Sequence, residues 1–272
     1  ANRSSLTAFI EQLMLITSSQ NERVKQVRML QQQGKARRKQ QRLVLEGARL
    51  MADALDTGAQ PDYALHTEEA DSPGTPTNAL LVRLRDACPV FAITPELMAA
   101  LSDTETPQGV LGVFPLPELR VPDEPALIVV ADGWRDPGNL GTLIRTCAAA
   151  GVDLLLLTKG TVDPTNPKAI RAAMGAHYRV PLRTLDWDAI AQAYPAHRFY
   201  LADAAGETLY TDADWRVPSA LVIGGEAHGF DAAAERIPHT RVRIPMAPDA
   251  ESLNAAIAAA VLIYAARAHA FG

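Results

Sequence analysis

A chain of 272 residues with 48% hydrophobic and 21% charged residues is long enough to bury a sizeable core, and this composition is ordinary for a soluble globular protein. A formal net charge of −5 argues against a nucleic-acid-binding protein, whose footprint is usually basic. The longest apolar run, residues 255–266, is too short to span a bilayer, and residues 1–20 lack the basic segment of a secretory signal.

In chain order, residues 21–33 and 46–57 read as helices. The first lies in a basic stretch. Between Asn21 and Arg49 stand Arg23, Lys25, Arg28, Lys35, Arg37, Arg38, Lys39, Arg42 and Arg49, against Glu22 and Glu46. An acidic chain with one such segment can hold phosphates through it; the plain alternative is a solvated helix face. Residues 63–67, 90–93 and 110–114 are short strands. Residues 71–78, with two prolines, a glycine and small polar residues, read as an exposed loop. Pro117, Pro122 and Pro125 mark a linker over residues 116–125. Residues 1–118 therefore form a small α/β domain and residues 119–272 a second domain.

Beyond the linker, strands over 126–131, 152–158, 199–202, 220–223 and 242–244 alternate with helices over 140–150, 167–175 and 253–269. Strands apolar throughout, with helices between them, indicate a parallel sheet covered on both faces. Periodicity by itself gives an ordinary doubly wound fold. No Gly-x-Gly-x-x-Gly follows the strand at 126–131, so a dinucleotide-dependent oxidoreductase is disfavoured.

Several residues stand out against this scaffold. Gly224-Gly225 directly follows an apolar strand and either turns the chain or lets the backbone approach a ligand closely. Asn139 is placed in a strand-to-helix turn, and Arg145 is the odd residue on an otherwise apolar helix, suited to a phosphate or ribose. Glu226 can orient Asn139, Arg145 or a ribose. Ser252 and Asn254 bracket Leu253 at a helix start, where serine is an ordinary N-cap. Ile244 and Leu253 offer apolar walls, and His228 is an acid/base candidate without further support. Lys168 and Arg171 can face a polyanion or simply solvent. The remaining histidines have no metal spacing, nor do Cys88 and Cys147, which read as free thiols in a reducing cytoplasm; no metal is expected.

Three blocks occur in order: Gly138-Asn139-Leu140-Gly141-Thr142-Leu143-Ile144-Arg145-Thr146, then Leu221-Val222-Ile223-Gly224-Gly225-Glu226-Ala227-His228-Gly229-Phe230, then Ile244-Pro245-Met246 with Glu251-Ser252-Leu253-Asn254. Together they resemble the three signature motifs of the SpoU (TrmH-like) RNA ribose 2′-O-methyltransferases, knotted enzymes that use S-adenosylmethionine. Ala227 is a mild departure from the family pattern. The resemblance implies a deep trefoil knot, with the chain after Ala220 threaded through a loop, and a homodimer. It implies cofactor binding at Gly224, Ile244 and Leu253, with Gly225, Met246 and Ser252 beside them. It casts Arg145 as the essential arginine, with Asn139, Glu226, Ser252 and Asn254 as further catalytic residues. Ile16-Thr17-Ser18-Ser19-Gln20-Asn21 with Lys25, and Leu45-Glu46-Gly47, resemble the substrate-binding domain that often precedes the catalytic one and is similar to the ribosomal L30e-type fold.

The expectation is S-adenosylmethionine-dependent methyl transfer to a ribose 2′-hydroxyl of structured RNA, with ribosomal RNA favoured over transfer RNA and no membrane partner. Arg23, Lys25, Arg37, Arg38, Lys39, Lys168 and Arg171 are the RNA-binding candidates. A catalytically inactive RNA-binding protein on the same scaffold is the alternative, disfavoured because all five catalytic candidates are retained together.

Overall fold

A computed structural model describes residues 15–102, 104, 106–225, 229–249 and 252–268. The chain divides into two compact units, Ala1–Pro117 with Thr165–Pro167, and Glu118–Pro164 with Lys168–Gly272.

The first unit contains α1 (Glu22–Gln32), α2 (Gly34–Gln40), β1 (Arg42–Glu46), α3 (Ala48–Asp56), β2 (Tyr63–His66), α4 (Pro76–Ala87), β3 (Val90–Ala92), α5 (Pro95–Leu101) and β4 (Val110–Pro115). Its sheet has the order β1-β4-β2-β3, with β4 antiparallel to β1 and β2, and β2 parallel to β3. Val24, Val27 and Leu30 recur every three residues on α1 and so share one face, which packs on Tyr63, Leu65, Leu111 and Val113 of the sheet.

Three expectations change here. Residues 71–78 are not all loop: Thr75 Oγ1 accepts from the Asn78 amide at 3.0 Å and caps α4. Thr-Pro at an N-cap and first helical position is a start signal, because proline loses only an amide that would be unpaired anyway. Residues 46–57 are not one helix either, because β1 runs through Glu46 and Gly47, at φ +95°, turns the chain into α3. Arg37 is the third. It is 4% exposed, and its Nη1 donates to the carbonyls of Leu30 at 2.7 Å and Gln31 at 3.1 Å. These carbonyls belong to the last turn of α1, where backbone acceptors lack helical partners and a cation complements the dipole. Arg37 is thus a buried helix cap and not an outward phosphate ligand.

The second unit contains β5 (Leu127–Asp132), α6 (Pro137–Ala150), β6 (Leu154–Leu157), α7 (Pro167–Ala173), β7 (Leu182–Thr184), α8 (Trp187–Ala193), β8 (Arg198–Ala202), β9 (Thr208–Leu209), β10 (Ser219–Gly224), β11 (His239–Arg243) and α9 (Ala255–Arg267). Its sheet has the order β7-β6-β5-β10-β8-β11-β9, and every pairing in it is parallel. Alternate side chains point to opposite faces of a strand. Leu127, Val129 and Ala131 of β5 and Leu221 and Ile223 of β10 therefore enter one core with α6 and α9. Ile128, Val130, Ala220 and Val222 enter the other, with Trp187 and Ile190 of α8. This is the α/β sheet covered on both faces that the apolar strands imply.

β7 and β9 were not anticipated. Both lie at the sheet's edges, and both are short and only partly buried or exposed, so neither shows the apolar signature of a central strand. In α6, a side chain at Gly141 would come within 2.4 Å of the Ala169 carbonyl oxygen. The glycine lets α7 pack directly against α6.

Candidate functional site

The carboxyl ends of parallel strands are where open α/β sheets form binding crevices, and all three sequence blocks meet there. Asp132, the last residue of β5, is only 2% exposed. Its Oδ1 accepts from Thr158 Oγ1 at 2.6 Å and Trp187 Nε1 at 3.2 Å, and its Oδ2 accepts from the Asp231 amide at 2.7 Å. A buried carboxylate needs such partners, and these draw four separate segments together. Trp134, likewise buried, donates Nε1 to the Ile223 carbonyl at 2.9 Å and ties the connection between β5 and α6 to the second block.

Asp136 caps α6: its Oδ1 accepts from the Asn139 amide at 2.7 Å. That bond, with Lys168 nearby, holds the Asp136 carboxyl below the usual carboxylate range. Asn139 therefore stands in the first turn of α6 and not in the turn before it. The N-cap of α9 is Asn254, not Ser252: its Oδ1 accepts from the amides of Ala256 at 2.9 Å and Ile257 at 3.3 Å. With the oxygen committed to backbone donors, the amide nitrogen points the other way and donates to Asn139 Oδ1 at 3.2 Å. At the far end, Arg267 Nε donates to the Ala150 carbonyl at 3.0 Å. The two helices are thus pinned side by side and parallel, start to start and end to end.

Gly224 and Gly225 are needed for close backbone contact. A side chain at Gly224 would lie 2.7 Å from the Gly229 carbonyl group, and one at Gly225 2.8 Å from the Gly133 oxygen. Gly225 and Gly229 also exchange backbone hydrogen bonds at 3.1 and 3.0 Å. Glu226 and His228 lie outside the described residues.

Two cavities open here. One, of about 540 Å³, is lined by all six cofactor candidates, Gly224, Gly225, Ile244, Met246, Ser252 and Leu253. Asp203, Glu235 and Arg241 also line it, and Arg241 bonds both carboxylates; no local pattern marks these three in the sequence. The second, of about 500 Å³, includes Asn139, Arg135, Asp136, Lys159 and Phe230. Gly225, Gly229, Phe230 and Ala255 border both. Arg145 borders neither and is exposed on α6, six residues beyond Asn139.

The other basic candidates differ among themselves. Arg38 and Lys39 are exposed, Lys25 pairs with Glu22 at 3.1 Å, and the Arg23 guanidinium lies 3.9 Å from the centre of the Phe91 ring. Lys168 is exposed and pairs with Asp136 at 3.4 Å, and Arg171 is half-buried. Burial pushes the Cys88 thiol up to about 11 and raises that of Cys147, so neither supplies a thiolate nucleophile near neutral pH. Among the described residues no three His, Cys, Asp or Glu side chains converge on a metal position.

Comparison with known proteins agrees with this geometry. Residues 126–264 match the SpoU rRNA methylase family and residues 21–112 the MRM3-like substrate binding domain. The mitochondrial rRNA methyltransferase 3 of Mus musculus is 33% identical, over 84% of this chain and 68% of its own length. The 23S rRNA (guanosine(2553)-2′-O)-methyltransferase RlmP of Bacillus subtilis is 30% identical, over 92% of this chain and 97% of its own. The crystal structure of an AdoMet-bound rRNA methyltransferase from Sinorhizobium meliloti superposes with a TM-score of 0.80 at 29% identity, covering 94% of this chain and 98% of that one. The same three blocks that frame the two cavities lie inside the family match, and the chain belongs to the SpoU rRNA methylase family.

Proposed function

We propose that the protein transfers a methyl group from S-adenosylmethionine to a ribose 2′-hydroxyl of ribosomal RNA. The observation that carries this reading is the convergence of Gly224, Gly225, Ile244, Met246, Ser252 and Leu253 on one cavity that shares a wall with a second. Relatives named as rRNA methyltransferases, one of them a 2′-O-methyltransferase, favour ribosomal RNA, and an AdoMet-bound neighbour supports the cofactor.

The larger cavity fits such a cofactor. Its wall at Gly224-Gly225 is bare backbone, and Ile244, Met246 and Leu253 are apolar. When bound, S-adenosylmethionine supplies an electrophilic methyl group. The protein's own task is to orient the acceptor and stabilise charge as the hydroxyl loses its proton. Asn139, held by Asn254, faces the second cavity and can hydrogen-bond a ribose hydroxyl. Arg145 has no partner among the described residues, which suits a guanidinium that meets its anion in the RNA. Glu226 and Ser252 are assigned to orienting the ribose. Arg23, Lys25, Arg38 and Lys39, in a first domain over residues 1–118 of L30e-like fold, are assigned to RNA contacts, as are Lys168 and Arg171 on α7 of the second.

The reading includes a homodimer. Ile257, Val261 and Tyr264 are exposed at 53%, 36% and 48%, and at helical spacing they form one apolar stripe along α9. Arg145 projects from the neighbouring helix, so the same association would draw it into a composite site. It also includes the trefoil knot, supported by β10 lying between β5 and β8 after the chain has already built β9 at the edge. A cytoplasmic setting is part of the reading, in keeping with two free, buried cysteines.

Calorimetry with S-adenosylmethionine and no added metal tests the reading. Saturable binding by the wild type, weakened strongly by Leu253→Asp, is expected, because a charge then faces an apolar wall. A folded wild type that binds none would refute it.

A further inference from the structure

Among the described residues that line the larger cavity, only Asp203, Glu235 and Arg241 are charged. They come from three places in the fold: just after β8, between β10 and β11, and within β11 itself. Arg241 Nη2 donates to both Glu235 oxygens, at 2.6 and 2.5 Å, and its Nη1 donates to Asp203 Oδ2. One guanidinium thus serves two carboxylates and offsets the charge of one. The lining keeps an excess of one negative charge. Arg236 and Arg243 lie outside it, and His239, with Nε2 3.7 Å from Glu235, adds a positive charge only when protonated. The smaller cavity does not reverse the sign, because Asp132, Asp136 and Asp231 outnumber Arg135 and Lys159 there.

Stability alone does not account for the cluster. Its side chains are 22–39% exposed, and ion pairs so exposed add little to folding. A cavity wall with an acidic excess does, however, favour a cation over a neutral molecule of the same shape. That difference is the one between the two forms of the proposed cofactor. S-adenosylmethionine carries a positive sulfur. On transfer the S–C bond breaks with its electron pair kept by sulfur, an O–C bond forms on the ribose, and the hydroxyl proton passes to solvent. The demethylated product keeps nearly the same shape and has one positive charge fewer.

We infer that Asp203, Glu235 and Arg241 make the larger cavity charge-selective: their excess carboxylate biases it toward the sulfonium cofactor and against the spent product, which favours exchange of one for the other. The inference rests on the methyltransferase reading above and deepens it. These three act as specificity residues, whereas the Gly224, Ile244 and Leu253 walls meet both molecules alike.

The test is calorimetric titration of the whole chain with S-adenosylmethionine and, separately, with S-adenosylhomocysteine, at one fixed pH and at low and high salt. The quantity read is the ratio of the two dissociation constants. Glu235→Gln removes the excess and should shrink the preference for the cofactor roughly 3- to 10-fold at low salt, with much of the effect lost at high salt. Arg241→Gln leaves two carboxylates unopposed and should move the ratio the other way. A cluster that only braces the walls would weaken both ligands together in both variants and leave the ratio alone. Ala204 is exposed, lines the same cavity and has no side-chain part in the cluster. Ala204→Lys should lower the preference and Ala204→Asp raise it, which keeps the inference testable if Glu235→Gln or Arg241→Gln fails to fold. Ratios that stay at the wild-type value in every folded variant would overturn it. A folded wild type that binds neither molecule would instead refute the methyltransferase reading itself, and the inference with it.

Discussion

Asn254 Nδ2 donates to Asn139 Oδ1 at 3.2 Å, across 115 positions of sequence, while Asn254 Oδ1 caps α9. One side chain thereby closes a helix start and joins the first sequence block to the third. The two duties can be separated. Asn254→Asp keeps an acceptor for the Ala256 and Ile257 amides, and a carboxylate suits a helix N-terminus, but an ionised carboxylate cannot donate to Asn139. Thermal unfolding should show stability near that of the wild type, whereas methyl transfer should fall by up to about 10²-fold, the scale of a small misplacement at a reacting centre. Asn254→Ala should lose both, with about 0.5–2 kcal/mol of stability removed with the cap. Full activity in Asn254→Asp would show that the bridge is incidental.

Arg145 borders neither cavity of its own chain, so a substitution there tests the proposed catalytic role apart from cofactor binding. Arg145→Ala should cut transfer by ~10²–10³, the usual effect of losing one charge-stabilising donor, with calorimetric cofactor affinity unchanged. Arg145→Lys should recover little at any pH, because a point charge does not reproduce the guanidinium fork. Recovery that climbs steeply with pH would instead identify a proton acceptor at this position.

The apolar stripe on α9 predicts the oligomeric state. Ile257 and Val261 point outward at 53% and 36% exposure. Ile257→Glu with Val261→Glu should convert a dimer into a monomer by light scattering and lower transfer, while each chain still binds cofactor. A monomeric wild type at micromolar concentration would leave the stripe without this role.

His177 sets an acid limit on stability. It is buried, and its Nε2 donates to the Pro164 carbonyl at 2.7 Å. Burial lowers its pKa from the ordinary 6.5. The folded state thus binds a proton less readily than the unfolded chain. The corresponding stability is fully present above about 6.5 and is lost as pH falls through the lowered folded value. Denaturant midpoints measured from pH 7.5 to 5 should decline, and His177→Gln should flatten that decline. Equal slopes for both proteins would assign the acid loss to other groups.

What was legible in the sequence was what is local. Apolar runs such as Val129–Ala131 and Leu154–Leu157 announce central parallel strands because both of their faces are buried. The cofactor candidates were legible because each block keeps its residues within a few positions, and the fold brings the blocks to one cavity. The rest depends on contacts made at a distance. Nothing near Arg37 in sequence reveals that it folds back onto the end of α1, so it reads as one more phosphate-binding candidate in a basic run. Thr75-Pro76 and Thr94-Pro95 resemble loop punctuation until the threonine hydroxyls are seen capping helices. Asp132, Trp134 and Phe230 matter through partners far away along the chain, such as Ile223 for Trp134, and no spacing rule connects them.

The central claim is ribose methylation of ribosomal RNA, and mapping 2′-O-methyl groups across the cellular RNA tests it most directly. Cells lacking the protein should lose methylation at one or a few ribosomal RNA riboses. The wild-type chain should restore it, and Arg145→Ala and Asn139→Ala should not. An unchanged ribosomal RNA pattern, or a loss confined to transfer RNA, would contradict the account.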